Sequence, residues 1–183
     1  PSKLKKTFLF LAIFTLIQFT QAQKYLSRTA ELKFDASVAN MVEIAAKNNK
    51  VSAILDAATG KFAVNALINE FKFKVPLMEE HFNENYMETS KYPNAKFSGQ
   101  LTNFDASKLT SKGSYDLEGD LTLHGVTKKV KTKMTLVLAG GKVMANCNFT
   151  VHAQDYKIEI PSLVKEKFAE NIKVAFDGDL LTK

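Results

Sequence analysis

The chain predicts an all-β fold: about eight antiparallel strands closed into a barrel, with one short helix inserted. Three observations carry this. Apolar residues fall on every second position through most of the chain after residue 28, the signature of strands with one buried face. Tight-turn signals separate these runs: ATG at 58–60, His124-Gly125, and AGGK at 139–142. A long sheet in hairpin order has two exposed edges, and closing it on itself removes them.

The strands follow in order. Leu32 and Phe34 alternate with Glu31, Lys33 and Asp35, and Val51, Ala53 and Leu55 alternate with Ser52 and Asp56. After the turn at 58–60, FAVNALINEFKF (62–73) reads as one long strand. Phe97, Gly99 and Leu101 form a face after YPNAK. The stretch from Gly113 to Leu138 is a two-faced hairpin about His124-Gly125. Tyr115, Leu117 and Leu121 mark the face on one side, and Val130, Met134 and Leu136 on the other. VMANCNFTVHA follows the second tight turn, and Ile172, Val174 and Phe176 set the beat of the last strand.

Two stretches break the rhythm. VPLMEEHFNENYMETSKYP has apolar residues at mixed steps of three and four with acids between, which predicts a short helix from near Pro76 and a loop closed by Pro93. PSLVKEKFAE, from Pro161, reads as a second short helix or loop.

The first residues stand apart from this domain. A basic PSKLKK, an apolar TFLFLAIFTLIQF and small residues at Thr20 and Ala22 have the order of a secretory signal peptide. This reading places cleavage after Ala22, leaving a barrel domain at 23–183, exported to a bacterial periplasm or secreted. Lys3, Lys5 and Lys6 would leave and no acid would, so the formal charge of +6 falls to +3. The remaining basic residues are spread among acids, without a cluster able to neutralise many phosphates, which argues against a nucleic-acid partner. One cysteine, Cys147, cannot make an internal disulfide. It lies on an apolar beat and reads as a buried structural thiol.

Few residue patterns suggest chemistry. His81 and Glu84 are three apart and Glu80 is adjacent, so a helix would put a histidine and carboxylates close together. That permits a metal-assisted or acid/base enzyme acting on a lipid or small molecule; the alternative is a solvated acidic helix, with His124 and His152 as surface histidines. The two-histidine zinc signature is absent, no catalytic-serine elbow occurs, and no cofactor motif is present. Lys128, Lys129, Lys131 and Lys133 form either a cationic rim or an ordinary solubilising stripe. Phe82, Tyr86 and Tyr92 either gate an opening or fasten the helix to the barrel. Gly99, Gly119 and Gly178 lie on apolar beats, where they either let the sheet coil or leave interior space.

HFNENYMETSKYPNAKFSGQL followed by GDLTLHGVTKKVKTKMTLVL resembles the YceI-like family of polyisoprenoid-binding periplasmic proteins. The carrying motifs are Lys91-Tyr92-Pro93-Asn94-Ala95-Lys96-Phe97 and the unbroken GDLTLHGVTK at 119–128, supported by FTVHAQDYKIEIP. The resemblance implies an elongated lipocalin-like barrel with an apolar tunnel, export, and a long-chain isoprenoid or related amphiphile as partner. It implies a binding protein rather than an enzyme, and it admits transient contact with a membrane and dimerisation. Members often carry a longer segment of His, Arg and Gly between the first strands, whereas VANMVEIAAKNNK is compact here.

On alternation, the candidate tunnel lining is Leu32, Phe34, Val64, Phe97, Leu101, Tyr115, Leu117, Leu121, Met134, Leu136, Phe149, Val174 and Phe176. Each could equally be a plain core residue. Tail burial would dominate affinity, since each buried methylene contributes about 0.8 kcal/mol and an exposed ion pair at a headgroup at most about 1 kcal/mol.

Overall fold

The computed structural model describes residues 23–109 and 112–183. The segment read as a signal peptide, 1–22, lies outside the described residues. Ten elements carry the fold: strands β1 (Lys24–Ser37), β2 (Ala45–Asp56), β3 (Lys61–Leu67) and β4 (Lys72–Phe73), helix α1 (Pro76–His81), then β5 (Asn94–Thr102), β6 (Gly113–Leu123), β7 (Val126–Ala139), β8 (Lys142–Val151) and β9 (Phe168–Thr182). Eight strands form a closed antiparallel ring in the order β1-β9-β8-β7-β6-β5-β3-β2, and β2 pairs back to β1. The two-residue β4 lies outside the ring, beside β2.

Closure depends on bent strands. Register shifts interrupt β1 at Ser27/Ala30 and Ala30/Leu32 along β2, and such bulges bend and twist a strand. The β6–β7 turn has both central residues at positive φ, His124 at 51° and Gly125 at 72°. That is the geometry of the two-residue hairpin whose twist matches its strands.

The single strand expected over 62–73 is instead two. β3 stops at Leu67, Ile68–Glu70 makes one tight helical turn, and β4 resumes for two residues. The cause is non-local. Fully buried Asn48 donates through its side chain to the Leu67 carbonyl at 2.9 Å, and the Ile68 amide donates to the Pro93 carbonyl at 2.9 Å. Ile68 then turns in against Phe71 and Met87.

The helix begins where the sequence places it, with Pro76 in its first turn, and continues as one wider π-helical turn over Phe82–Tyr86. Lys72 donates to the Glu79 carboxylate at 2.8 Å and the Phe73 amide donates to it at 3.2 Å, tying α1 to β4. The Lys72 hydrogen bond holds the Glu79 carboxyl below its ordinary range. The second irregular stretch is a 3-10 turn at Ser162–Lys167.

The lysine stripe is not a free cationic rim. In the β6–β7 register Lys129, Lys131 and Lys133 stand opposite Asp120, Glu118 and Asp116. Each pair is bridged, at 2.9, 3.2 and 2.7 Å. These are exposed cross-strand pairs, worth a few tenths of a kcal/mol each, and they offset the charge of three of the four lysines; Lys128 stands opposite Leu121.

The two ends of the barrel differ. Toward one end the interior is solid: Val51, Leu55, Leu101, Met134, Leu136, Val143 and Leu180 are at most 2% exposed. Toward the other, under α1, the core separates into two further clusters around Ile68 and Tyr156. The wall is also incomplete there. β7 pairs with β8 only from Met134↔Cys147 to Ala139↔Lys142, so its first half runs beside β8 without a ladder. Apolar side chains, including Val126 and Val130 on one side and Phe149 and Val151 on the other, fill that seam. Thr132 donates to the Asn148 carbonyl at its inner end.

Candidate functional site

Beneath α1 the interior holds three cavities in succession. The innermost, about 50 Å³, lies among Phe62, Phe97, Leu117, Cys147, Phe149 and Phe176. The middle one, about 140 Å³, has wholly apolar walls that include Ile68, Phe71, Leu123, Val151, Tyr156 and Ile158. The outermost, about 260 Å³, lies between α1 and the Ser162–Lys167 turn, against Val42, Ile44, Met78, His81, Val164 and Phe168. Neighbouring cavities share walls. Leu32, Ala95, Leu121 and Phe149 stand between the first two. Phe34, Phe82, Met87 and Ile158 stand between the second and third.

Nine of the thirteen residues expected to line an interior path border the two inner cavities: Leu32, Phe34, Val64, Phe97, Leu117, Leu121, Phe149, Val174 and Phe176. Leu101, Met134 and Leu136 sit in the solid end, and Tyr115 packs there against Phe104 at 5.4 Å. Many wall residues escape strand alternation. Ile68, Phe71, Phe82, Met87, Ala153, Tyr156 and Ile158 come from turns, the helix and loops. Their only sequence signal is a surplus of large apolar residues in stretches otherwise read as irregular.

Phe82 holds the helix over the barrel end. Its ring lies 5.3 Å from Phe34, 5.1 Å from Phe73 and 5.9 Å from Phe71. Tyr86 meets Phe168 at 5.5 Å, and Tyr92 meets the edge of His124 at 4.7 Å. All three aromatics fasten the helix and its loop. Phe82, as the shared wall of the middle and outer cavities, also stands across the path between them.

The glycine spaces are occupied by protein. Gly99 and Gly119 face each other across β5 and β6, and the Phe97 ring covers both. A Cβ at Gly119 would come within 2.4 Å of the Ser98 carbonyl oxygen and 2.7 Å of Phe97 Cζ. These glycines permit close strand approach rather than leaving a void for a ligand.

Electrostatics inside are nearly nil. Among the described residues no buried side-chain nitrogen or oxygen lacks a hydrogen-bond partner. Burial pushes the Cys147 thiol up to about 12, which keeps it a neutral wall residue. His124 is not a surface histidine: its side chain is only 8% exposed. Its Nδ1 bonds the Tyr156 carbonyl at 2.9 Å and its Nε2 bonds Glu88 at 2.6 Å. It pins the hairpin tip to the loop after β8 and to the loop after α1. Glu80, His81 and Glu84 are exposed, and among the described residues no group of three or more His, Cys, Asp or Glu could hold a metal ion.

A larger depression, about 870 Å³, crosses β8, β9, β1, β2 and β4 beside the outward lysines 33, 47, 72, 74 and 173. Four of these lysines are ion-paired, to Glu31, Glu79 or Glu43. Phe34, Phe149 and Val174 line it as well, so its floor is apolar under a rim of lysines; the candidate site is the cavity chain, which leads into the barrel interior.

A closed eight-stranded barrel, solid at one end and hollow and apolar at the other, is the architecture of the small barrels whose interior can hold one ligand. Within it, this chain belongs to the YceI-like family: the YceI-like domain model matches residues 17–180. A UPF0312 protein of Pseudomonas putida (strain W619) is 33% identical over 95 residues, 49% of this chain and 47% of that protein. The chain thus spans about half the length of the curated relatives it matches. A polyisoprenoid binding domain from Saccharophagus degradans, implicated in plant cell wall breakdown, superposes with a TM-score of 0.74 at 19% identity, covering 87% of this chain and 98% of that one. BcnA of Burkholderia cenocepacia superposes with a TM-score of 0.63 at 12% identity, covering 83% of this chain and 96% of that one. At these identities the structural likeness establishes the fold.

Proposed function

We propose that this chain is a non-enzymatic lipid-binding protein, exported from the cytoplasm, that carries or stores a polyisoprenoid or similar long-chain amphiphile in its hollow end. The observation that supports it most is the run of three adjoining apolar cavities leading outward past Phe82. The Saccharophagus degradans domain, described as polyisoprenoid binding, has the same fold. The family's binding character favours this reading over an enzyme built on His81.

The cavity sizes set the terms of binding. An engineered apolar cavity of about 150 Å³ stays dry and takes up benzene, and the middle cavity, at about 140 Å³, is comparable. Each buried methylene contributes about 0.8 kcal/mol, so a few isoprene units would provide the affinity of a carrier after ordering costs. A longer tail requires the shared walls to move. Phe82 is the wall between the middle and outer cavities, and its ring contacts with Phe34, Phe71 and Phe73 are what such a movement must break.

The reading is tested by displacement. Parinaric acid, a fluorescent polyene fatty acid, is bound to detergent-free protein and then competed with polyprenyl alcohols of increasing length. Competition that strengthens with each added isoprene unit and then levels off is the expected result. Parinaric acid that gains no fluorescence, or competition independent of tail length, would overturn the reading.

A further inference from the structure

Large apolar side chains are exposed unevenly over this molecule. Eight are exposed among the described residues, and five of them are Met41 (49%), Val42 (48%), Val75 (44%), Leu77 (57%) and Leu163 (87%). These five come from three separate segments: the loop between β1 and β2, the entry to α1, and the Ser162–Lys167 turn. The same three segments wall the outermost cavity through Val42, Met78 and Val164. Of the exposed five only Val42 borders the cavity itself; Met41, Val75, Leu77 and Leu163 lie within three positions in the chain of a residue that does. Exposed apolar residues from three segments distant in sequence therefore gather near one mouth.

We infer that this rim docks the barrel mouth on a lipid surface, so that a tail passes between membrane and cavity without crossing water. The occupant rests on the lipid-carrying reading above. Three features favour a bilayer over a protein partner. The rim is a set of separate projecting tips, led by Leu163, which suits insertion into a fluid interface better than fit to a fixed shape. Lys165 and Lys167 follow Leu163 and are exposed, with one acid, Glu166, between them; lysines so placed can reach headgroup phosphates while apolar neighbours enter the acyl boundary. The outermost cavity opens among these same segments, so docking places its mouth against the hydrocarbon. A few partly exposed side chains give reversible attachment, as a single short lipid anchor does, and reversibility is what a carrier needs.

The chain contains no tryptophan, so Leu163→Trp makes a unique reporter in the full protein. On addition of phosphatidylcholine vesicles its emission shifts to the blue and is quenched by lipids brominated on the acyl chain. Val42→Asp or Leu77→Asp in that background weakens vesicle partitioning about tenfold each. An emission spectrum unmoved by vesicles would overturn the inference. So would a blue shift without vesicles that grows with protein concentration, which would make the rim an interface between copies of the chain. The two readings separate cleanly. A Leu163→Trp protein that binds parinaric acid but ignores vesicles sinks only the docking inference. One that docks but takes up no parinaric acid sinks the carrier reading instead.

Discussion

Gly119→Ala distinguishes a glycine that leaves room from one that lets strands meet. The added Cβ would lie 2.4 Å from the Ser98 carbonyl oxygen, 2.5 Å from Gly99 Cα and 2.7 Å from Phe97 Cζ. The first two are backbone atoms of the facing strand, which cannot rotate away. Overpacking of this kind costs about 1–3 kcal/mol, and the backbone contacts put this site at the upper end. In a chain of this size about 3 kcal/mol lowers Tm by roughly 6–12 °C. Gly178→Ala is the control: its Cβ would meet Phe176 Cζ at 3.0 Å and Ala30 Cβ at 3.1 Å. Those are side-chain atoms, so the loss should be about 1 kcal/mol. Calorimetry on both variants, and on Gly119→Ala combined with Phe97→Leu, reads the difference. Trimming the ring should not restore stability, because the strand remains in the way. A Gly119→Ala protein as stable as the parent, or full rescue by Phe97→Leu, would refute the reasoning and return this position to the ligand path.

Val151→Phe should fill the middle cavity and weaken parinaric acid binding at least about tenfold while circular dichroism stays that of a folded barrel. Phe82→Ala should cost about 3 kcal/mol, since a half-buried ring is lost, yet speed the release of bound probe by removing the wall between two cavities; stopped-flow displacement measures it. Cys147 should resist thiol-reactive disulfide reagents at pH 8 and react fully in denaturant, because burial pushes its thiol up to about 12. The carboxyls of Glu31, Asp35 and Glu79 are all held below their ordinary ranges, chiefly by hydrogen bonds from Lys33, Ser37 and Lys72 respectively. Their stabilisation is present above the unfolded carboxylate range and is lost as pH falls through the lowered values. Tm should therefore be insensitive to these groups above about pH 4.5 and fall below it; a Tm that rises on acidification would contradict the assignment.

What could be read before the structure was the part written in local periodicity. The beat of two in Leu117, Leu121, Met134 and Leu136 gives strands and an inward face whatever the partner strand is, and Pro76 marks a helix start by its own geometry. What could not be read depends on residues far apart in the chain. The break at Ile68 is made by Asn48 and Pro93, which take its strand's hydrogen bonds. His124 becomes an interior clamp because Tyr156 and Glu88 arrive from two other segments. Three of the four lysines of the stripe are offset because the β6–β7 register sets Asp116, Glu118 and Asp120 against them. The hollow end was hidden for a different reason: turns and the helix supply much of its wall, and no period announces that Ile158 and Met87 face inward.

Whether the apolar interior holds lipid is read by purifying the protein without detergent from the cells that make it, extracting it with organic solvent, and analysing the extract by mass spectrometry. A long-chain isoprenoid or related amphiphile in stoichiometric amount is the expected result. A clean extract, unchanged after incubation with polyprenyl lipids, would contradict it and leave a barrel whose hollow end is only loose packing.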